Sequence, residues 1–416
     1  MSEQSADDLL YSQAGQVLTL AQPSKVGVAV SGGSDSIATL NILAGAARAR
    51  GVSLAAVTIN HGLRPEAEAE AEFVAKTCAS LGLRHDTRRW DSWSGAGNLQ
   101  AEARRARYSL IAQWAKDSGV DLVALGHTRD DQAETLLMRL GRAAGVDGLA
   151  EMERNFTRHD IRFTRPFLDT GRAALRAHLL RAGLSWMDDP SNEDPQFDRV
   201  KARKLLAALE MNDITASDLA TTARHMSRAR DALNWMVVRL AGDHVQERAG
   251  GLEYNGLDEL PEELARRFIL SGLRWITDAD YPPRSRSISR ILDASQSETM
   301  TLAGCVADWD GGVLYLHREG NAVRDHVCAP DALWDQRWRI NGPFQPGHKV
   351  RALGVDGLAQ LPDWRASKLR RTVLLVTPSI WLNDTLVSAP LAGISEGWSA
   401  QITEDFAAFL LRQSAH

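Results

Sequence analysis

Cysteine is scarce in this chain: Cys78, Cys305 and Cys328 are the only three in 416 residues, and no two form a Cys-X-X-Cys pair. Thiols so few and so far apart exclude a disulfide framework and point to a reducing compartment. No His and Cys residues fall at zinc-ligand spacing. An excess of positive charge is lacking too. The 48 Lys and Arg stand against 53 Asp and Glu, for a net charge of −5, so a polyanion is not held by bulk attraction. A nucleic acid must meet basic residues gathered locally. No apolar run approaches the ~18 residues a membrane span needs. The first eight residues hold three acids and no base, unlike the start of a signal peptide. The expectation is a cytoplasmic protein with no membrane partner. Two nucleotide motifs are also missing: GxxxxGK[ST], with its phosphate-reaching lysine, and the dinucleotide fingerprint GxGxxG.

What is present is the balance of a folded protein, 44% hydrophobic and 24% charged, with length for two or three domains at ~100–200 residues each. From residue 25 to about 209, β-rich runs at 26–30, 54–59 and 122–125 alternate with helix-period segments at 36–50, 65–81 and 98–118. That alternation predicts an α/β domain with a mainly parallel sheet covered on both faces. We divide the chain into a catalytic domain at 1–208, a helical domain at 209–330 and a small α+β domain at 331–416. The helical reading rests on periodicity at 216–241 and 261–276, with no strong strand before Met300. The last segment is rich in Trp and Pro, and short strands are expected at 371–376 and 385–388.

The most informative segment is Ser31-Gly32-Gly33-Ser34-Asp35-Ser36, between the first strand and a helix. Its glycines let backbone N–H groups approach an anion, its hydroxyls add donors, and the following helix aims its N-terminus at the same point. This is a phosphate-binding loop.

Three clusters follow. Asn60-His61-Gly62-Leu63-Arg64 ends the second strand, and Gly126-His127-Thr128-Arg129-Asp130-Asp131-Gln132-Ala133-Glu134-Thr135 follows a later one. Open α/β sheets bind ligands at such strand ends. Between them, Arg104, Arg107 and Tyr108 share a helix face. Asp130 and Glu134 are one helical turn apart. With Asp35 they could hold Mg²⁺ on ATP or an ammonium group, since Mg²⁺ needs only one or two carboxylates besides substrate phosphates. His61 and His127 are candidates for nucleotide contact. Basic residues recur at Arg199, Lys201, Arg203 and Lys204, at Arg224, Arg228 and Arg230, at Arg284, Arg286 and Arg290, and at Lys368, Arg370 and Arg371. These are candidate RNA-facing positions.

The phosphate loop resembles the SGGxDS motif of the PP-loop ATP pyrophosphatases, which implies ATP binding and cleavage between the α- and β-phosphates. The ordered set SGGSDS, HGLR, ExxRxxRY, HxxDDQAET, Arg165-Pro166-Phe167-Leu168 and Asp189-Pro190-Ser191-Asn192 is similar to that of the tRNA(Ile)-lysidine synthetases. The resemblance implies a reaction at the wobble cytidine of the tRNA(Ile) with a CAU anticodon. ATP adenylates the oxygen on carbon 2, and free L-lysine then displaces AMP. It also implies ATP and Mg²⁺ as cofactors, and a homodimer is a further expectation. Carried over residue by residue, the nucleotide site comprises Ser31, Gly32, Gly33, Ser34, Asp35, Ser36, His61, Arg64, Arg107 and His127. The catalytic carboxylates are Asp35, Asp130, Asp131 and Glu134, and the metal-binding pair is Asp35 and Asp130. Two departures from the pattern are Asn60, where the family often has Asp, and Ala143-Ala144, where it often has Gly-Ser. The alternatives are a PP-loop tRNA thiolase, which needs reactive cysteines, and a non-catalytic nucleotide- and RNA-binding module, which would have lost the acidic residues beside the loop.

Overall fold

The computed structural model describes residues 3–62, 66–91, 99–188, 198–278, 283, 285–294 and 298–414. It divides into two compact units, Met1–Arg230 and Asp231–His416.

The first unit opens with α1 (Glu3–Ala21), β1 (Lys25–Ala29), α2 (Ser34–Arg48), β2 (Ser53–Asn60) and α3 (Glu66–Ser80). It continues through β3 (Arg84–Arg89), α4 (Leu99–Ser118), β4 (Leu122–Leu125), α5 (Arg129–Leu140) and a single turn, α6 (Val146–Leu149). The hairpin β5 (Asn155–Arg158) and β6 (Ile161–Thr164) is followed by α7 (Arg172–Arg181), α8 (Asp198–Glu210) and the start of α9 (Ala216–His244). The sheet order is β3-β2-β1-β4-β6-β5. Five strands are parallel, and β5 runs antiparallel at the edge.

The strand residues alternate between two cores, as the two-residue period of a strand dictates. Val26, Val28, Val30, Ala56 and Ala124 pack with α1, α2 and α7. Ala29, Ala55, Val57, Val123 and Leu125 pack with α4 residues such as Ile111 and Trp114. The expected α/β domain, with both faces of its sheet covered, is what the chain forms. The order matters for the site because the chain leaves β1 toward β2 and later returns to place β4 on its other side. The loops after β1 and β4 therefore meet at a topological switch point, where such sheets bind ligands.

Helix α1 is tied to this unit by Asp7. Its carboxylate lies 2.9 Å from buried His178 Nδ1 and accepts from Arg181 Nε at 3.1 Å. The Arg181 hydrogen bond, helped by His178, holds Asp7 below the usual carboxylate range against the opposing effect of burial. A lowered carboxylate pKa stabilises the fold above the unfolded value and stops doing so as pH falls through the folded one. Asp7→Ala should therefore cost about 1 kcal/mol at neutral pH. The gap from wild type should close as pH drops below about 3.9, measured by urea unfolding across pH. A gap that widens on acidification would refute the assignment.

In the second unit, the stretch expected to be helical does contain α10 (Glu262–Thr277) and α11 (Ser285–Leu292). It also forms two strands that are not anticipated, β7 (Val245–Arg248) and β8 (Gly251–Asn255), and, from about Met300 where strand is expected to resume, β9 (Thr299–Leu302), β10 (Cys305–Asp310) and β11 (Val313–Arg318). They make an antiparallel sheet in the order β7-β8-β11-β10-β9, on which α10 and α11 pack. The two early strands are only 4 and 5 residues long, too short for a period-2 signal to stand out beside long helices.

Beyond a turn, α12 (Gly320–Val323), come β12 (Trp338–Asn341), β13 (His348–Ala352), short helices α13 (Gly354–Ala359) and α14 (Arg371–Leu374), β14 (Pro378–Leu382), β15 (Thr385–Ser388), β16 (Ser399–Ile402) and α15 (Phe406–Ser414). The strand expected at 371–376 is instead the turn of α14, whereas the one at 385–388 is β15. Trp334, Trp338 and Trp398 are core residues here. Among the described residues no helix is long and apolar enough to cross a membrane.

Candidate active site

The loop after β1 is shaped by its own side chains. Ser36 Oγ donates to Gly33 O at 2.9 Å and accepts from Ser31 N at 3.2 Å, while Gly32 holds φ at +92°. One of the three hydroxyls expected to face phosphate is thus spent on the loop's own geometry. Ser34 Oγ donates to Asp35 Oδ1 at 3.2 Å and accepts from Arg176 Nε at 3.2 Å. The loop after β4 comes against this one through Gly126. A Cβ there would lie 2.9 Å from Ser36 Cα and 3.0 Å from Asp35 O, both backbone atoms that cannot yield.

Helix α5 begins at this contact. Thr128 and Asp131 form a reciprocal capping box: Thr128 N and Oγ1 donate to Asp131 Oδ2 at 2.7 and 2.8 Å, and Asp131 N donates to Thr128 Oγ1 at 3.4 Å. The other oxygen of Asp131 is left facing the site. Ala133 and Leu137 of α5 pack on Ala202 and Leu206 of α8, which brings α8 alongside and turns Arg199 and Arg203, one turn apart, toward α5.

The result is a cluster of three carboxylates and three guanidiniums. Arg172 Nε donates to Asp35 Oδ2 at 2.8 Å, Nη1 to Glu134 Oε1 at 3.2 Å and Nη2 to Asp131 Oδ1 at 3.4 Å. Arg199 reaches Glu134 Oε2 at 2.7 Å and Asp131 Oδ1 at 2.9 Å, and Arg203 reaches Glu134 Oε1 at 2.8 Å. The Glu134 side chain is 0% exposed. Burial works against the charge of Arg172, but Asp35, Asp131 and Glu134 together outweigh it and hold the pKa above the usual arginine value. Asp35 is raised, burial being the largest cause and Arg172 the main offset.

Of the four expected carboxylates, Asp35, Asp131 and Glu134 converge. Asp130 instead accepts the backbone N–H of Arg172 at 2.8 Å, at the start of α7. His127 lies at the end of β4. Arg165 Nε donates to its Nδ1 at 3.2 Å, so the ring proton is on Nε2. Burial, reinforced by Arg165, Arg107, Arg199 and Arg104, pushes its pKa well below the ordinary histidine value. It is a neutral donor inside a ring of arginines that includes the expected Arg107. His61 stands edge-on to Trp90 at 5.8 Å. Asn60, in place of an acid, accepts from Gly62 N at 2.8 Å and caps the turn. Arg64 and Asp189-Pro190-Ser191-Asn192 lie outside the described residues.

Arg172 and Arg176 are absent from the sequence-level site. The available signal was electrostatic: α7 starts with an arginine and has no acid in its first turn, the reverse of what the helix dipole favours. A cation placed there needs an external anion. Conversely, Arg199 and Arg203, read as RNA-facing, turn inward. Of that group Lys201 and Lys204 remain, with Lys201 exposed beside Asp198 and Lys204 exposed.

Among the described residues no group of three or more His, Cys, Asp and Glu could hold a metal ion. The donor set would fit Mg²⁺ bound mostly through substrate phosphates, which needs no more than one or two protein carboxylates, and Asp35 stands beside the loop. Burial pushes the Cys78 thiol up to about 11 and Cys305 to about 12, so neither is an available nucleophile.

Residues 6–209 match the PP-loop domain family. The tRNA(Ile)-lysidine synthase of Ruegeria pomeroyi is 45% identical over 395 residues, covering 94% of this chain and 94% of that protein. Proteins of the same name from Hyphomonas neptunium, at 38% identity over 80% of this chain and 86% of theirs, and from Wolbachia pipientis wMel, at 35% over 82% and 82%, are also similar.

Proposed function

From the premise that the chain belongs to the tRNA(Ile)-lysidine synthase family, and so uses ATP to form lysidine on tRNA(Ile), we propose how its residues divide the work. The loop Ser31-Gly32-Gly33-Ser34-Asp35-Ser36 cradles the triphosphate, with Arg107, His127, His61 and Arg64 as further nucleotide contacts. The carboxylates beside it receive L-lysine. The observation that carries this reading is the convergence of Asp35, Asp131 and Glu134 on one guanidinium next to the phosphate loop.

In the first step the oxygen on carbon 2 of the wobble cytosine attacks the α-phosphorus of ATP, and pyrophosphate leaves. Donors near the loop, the neutral His127 N–H among them, stabilise the charge that develops on the departing phosphates. In the second step the ε-amine of lysine attacks carbon 2, and the former base oxygen departs with AMP. That amine, with an ordinary pKa near ~10.4, must first lose a proton. Glu134 and Asp131 hold the ammonium, and Asp131 is the candidate to take the proton as attack proceeds. Mg²⁺, held by Asp35 and Asp130 together with the phosphates, would supply charge neutralisation on the pyrophosphate. The exposed basic residues Arg228, Arg286, Arg290 and Arg371 are proposed phosphate-positioning contacts for the tRNA, and the catalytic segment 1–208, the helix-and-sheet segment 209–330 and the small C-terminal segment 331–416 a division of labour between chemistry and tRNA recognition. The protein is proposed to work in the cytoplasm, with a homodimer as a further proposal.

Incubation with ATP, Mg²⁺, labelled lysine and a CAU-anticodon tRNA(Ile) transcript tests the whole. Label is expected in RNA only when the wobble base is cytidine. AMP formation with no lysine transfer would overturn the proposal. The thiolase alternative predicts sulfur incorporation in place of lysine.

A further inference from the structure

The formal charges of the cluster cancel. Asp35, Asp131 and Glu134 supply three negative charges, and Arg172, Arg199 and Arg203 three positive ones. If the cage receives the lysine ammonium, as proposed above, a fourth cation enters a site with no net charge to offer it, and buried charge without a partner is strongly unfavourable. One guanidinium has to find other anions.

Geometry singles out Arg172. Among the contacts of the described residues, Arg199 reaches Asp131 and Glu134 and Arg203 reaches Glu134, and both project from α8. Arg172 alone also reaches Asp35, which belongs to the phosphate loop. Arg176, one turn further along α7, touches Ser34 of the same loop. This face of α7 therefore runs from the carboxylate cage to the phosphate site. The backbone of Arg172 is pinned by Asp130, so a change of side-chain torsions suffices to move the guanidinium between the two.

We propose that Arg172 is a resident surrogate for the substrate ammonium: it holds the three carboxylates together and is exchanged for lysine when the triphosphate offers its guanidinium a second set of anionic oxygens. Arg172 is on this account a positioning residue that makes lysine binding conditional on nucleotide. The coupling is reciprocal, so lysine also tightens nucleotide binding by the same factor. Free lysine is thereby kept off Glu134 until ATP is in place.

The test is a calorimetric titration of L-lysine into the full-length protein with Mg²⁺, with and without α,β-methylene-ATP. Wild type should bind lysine at least about tenfold more tightly with the analogue, within the usual range of coupling between sites. In Arg172→Met the ratio should fall close to one, because lysine's own ammonium now completes the cage. Arg172→Lys, which keeps the charge but loses the forked reach, should give a ratio in between. A merely structural role would shift both affinities together and leave their ratio unchanged. Equal lysine affinity with and without analogue in wild type overturns the exchange and requires no variant to fold. An undiminished ratio in Arg172→Met overturns it as well. The underlying reading fails separately: if Glu134→Gln binds lysine as wild type does, the cage is not the lysine site. If Glu134→Gln loses lysine while Arg172→Met keeps its coupling, only the exchange is wrong.

Discussion

Replacing Asp35 with alanine is expected to slow ATP-dependent pyrophosphate release by two to three orders of magnitude, about the loss seen when one preorganised electrostatic contact to developing charge is removed. Asp35 is placed where both halves of the site depend on it. Its Oδ2 accepts from Arg172 at 2.8 Å and its Oδ1 from Ser34 at 3.2 Å, so the carboxylate joins the phosphate loop to the cage. Truncation removes the proposed Mg²⁺ ligand and releases Arg172 from the loop at the same time. The arginines proposed to contact tRNA are other residues, so retention of tRNA on filters should change by no more than about twofold, since surface substitutions remote from a contact act weakly. Normal pyrophosphate release by the variant would remove Asp35 from the reacting centre.

The second large effect concerns stability. Glu134→Gln is nearly isosteric, yet it leaves three guanidiniums at 3.2, 2.7 and 2.8 Å without the charge they surround. Removing the central charge of a buried ionic cluster costs up to about 3–5 kcal/mol, the lower end applying here because Arg172 keeps Asp35 and Asp131 and Arg199 keeps Asp131. A shift of that size should appear in urea unfolding followed by circular dichroism, and lysine transfer should be lost with it. A loss under about 1 kcal/mol, the level of an exposed ion pair, would mean that Glu134 is not the electrostatic centre described above.

Much of the first unit is legible from sequence because its signals are local. Strand runs, the SGGSDS turn and the HxxDDQAET helix start each announce themselves within a dozen residues. The capping relation of Thr128 to Asp131 is local too, although the reading paired Asp130 with Glu134 by helical spacing, and it is Asp131 that shares Arg172 with Glu134. Arg172 is not legible in the same way. Its partner Asp35 is 137 residues away, and Gly-Arg-Ala-Ala has no motif to mark it. Arg199 and Arg203 mislead for the opposite reason. A basic run looks like an RNA surface until α8 is packed on α5, and the packing decides which side chains turn inward. In the second unit the five-stranded sheet escapes notice because two of its strands are short and lie between helices whose periodicity dominates the window. Hydrophobic pattern thus conveys the elements, while the inventory of the site depends on tertiary pairing.

At Gly126 the turn that opens α5 is packed backbone to backbone on the loop after β1, so closely that any side chain there would clash with Ser36 and Asp35. On the proposed mechanism, two chemical stages, activation of the base and capture of the amine, share that one packed platform. Selection between them has to come from side-chain rotations and from the arrival of substrates. An adenylated base formed over such a platform meets the amine where it was made, with little opportunity for water to reach it first.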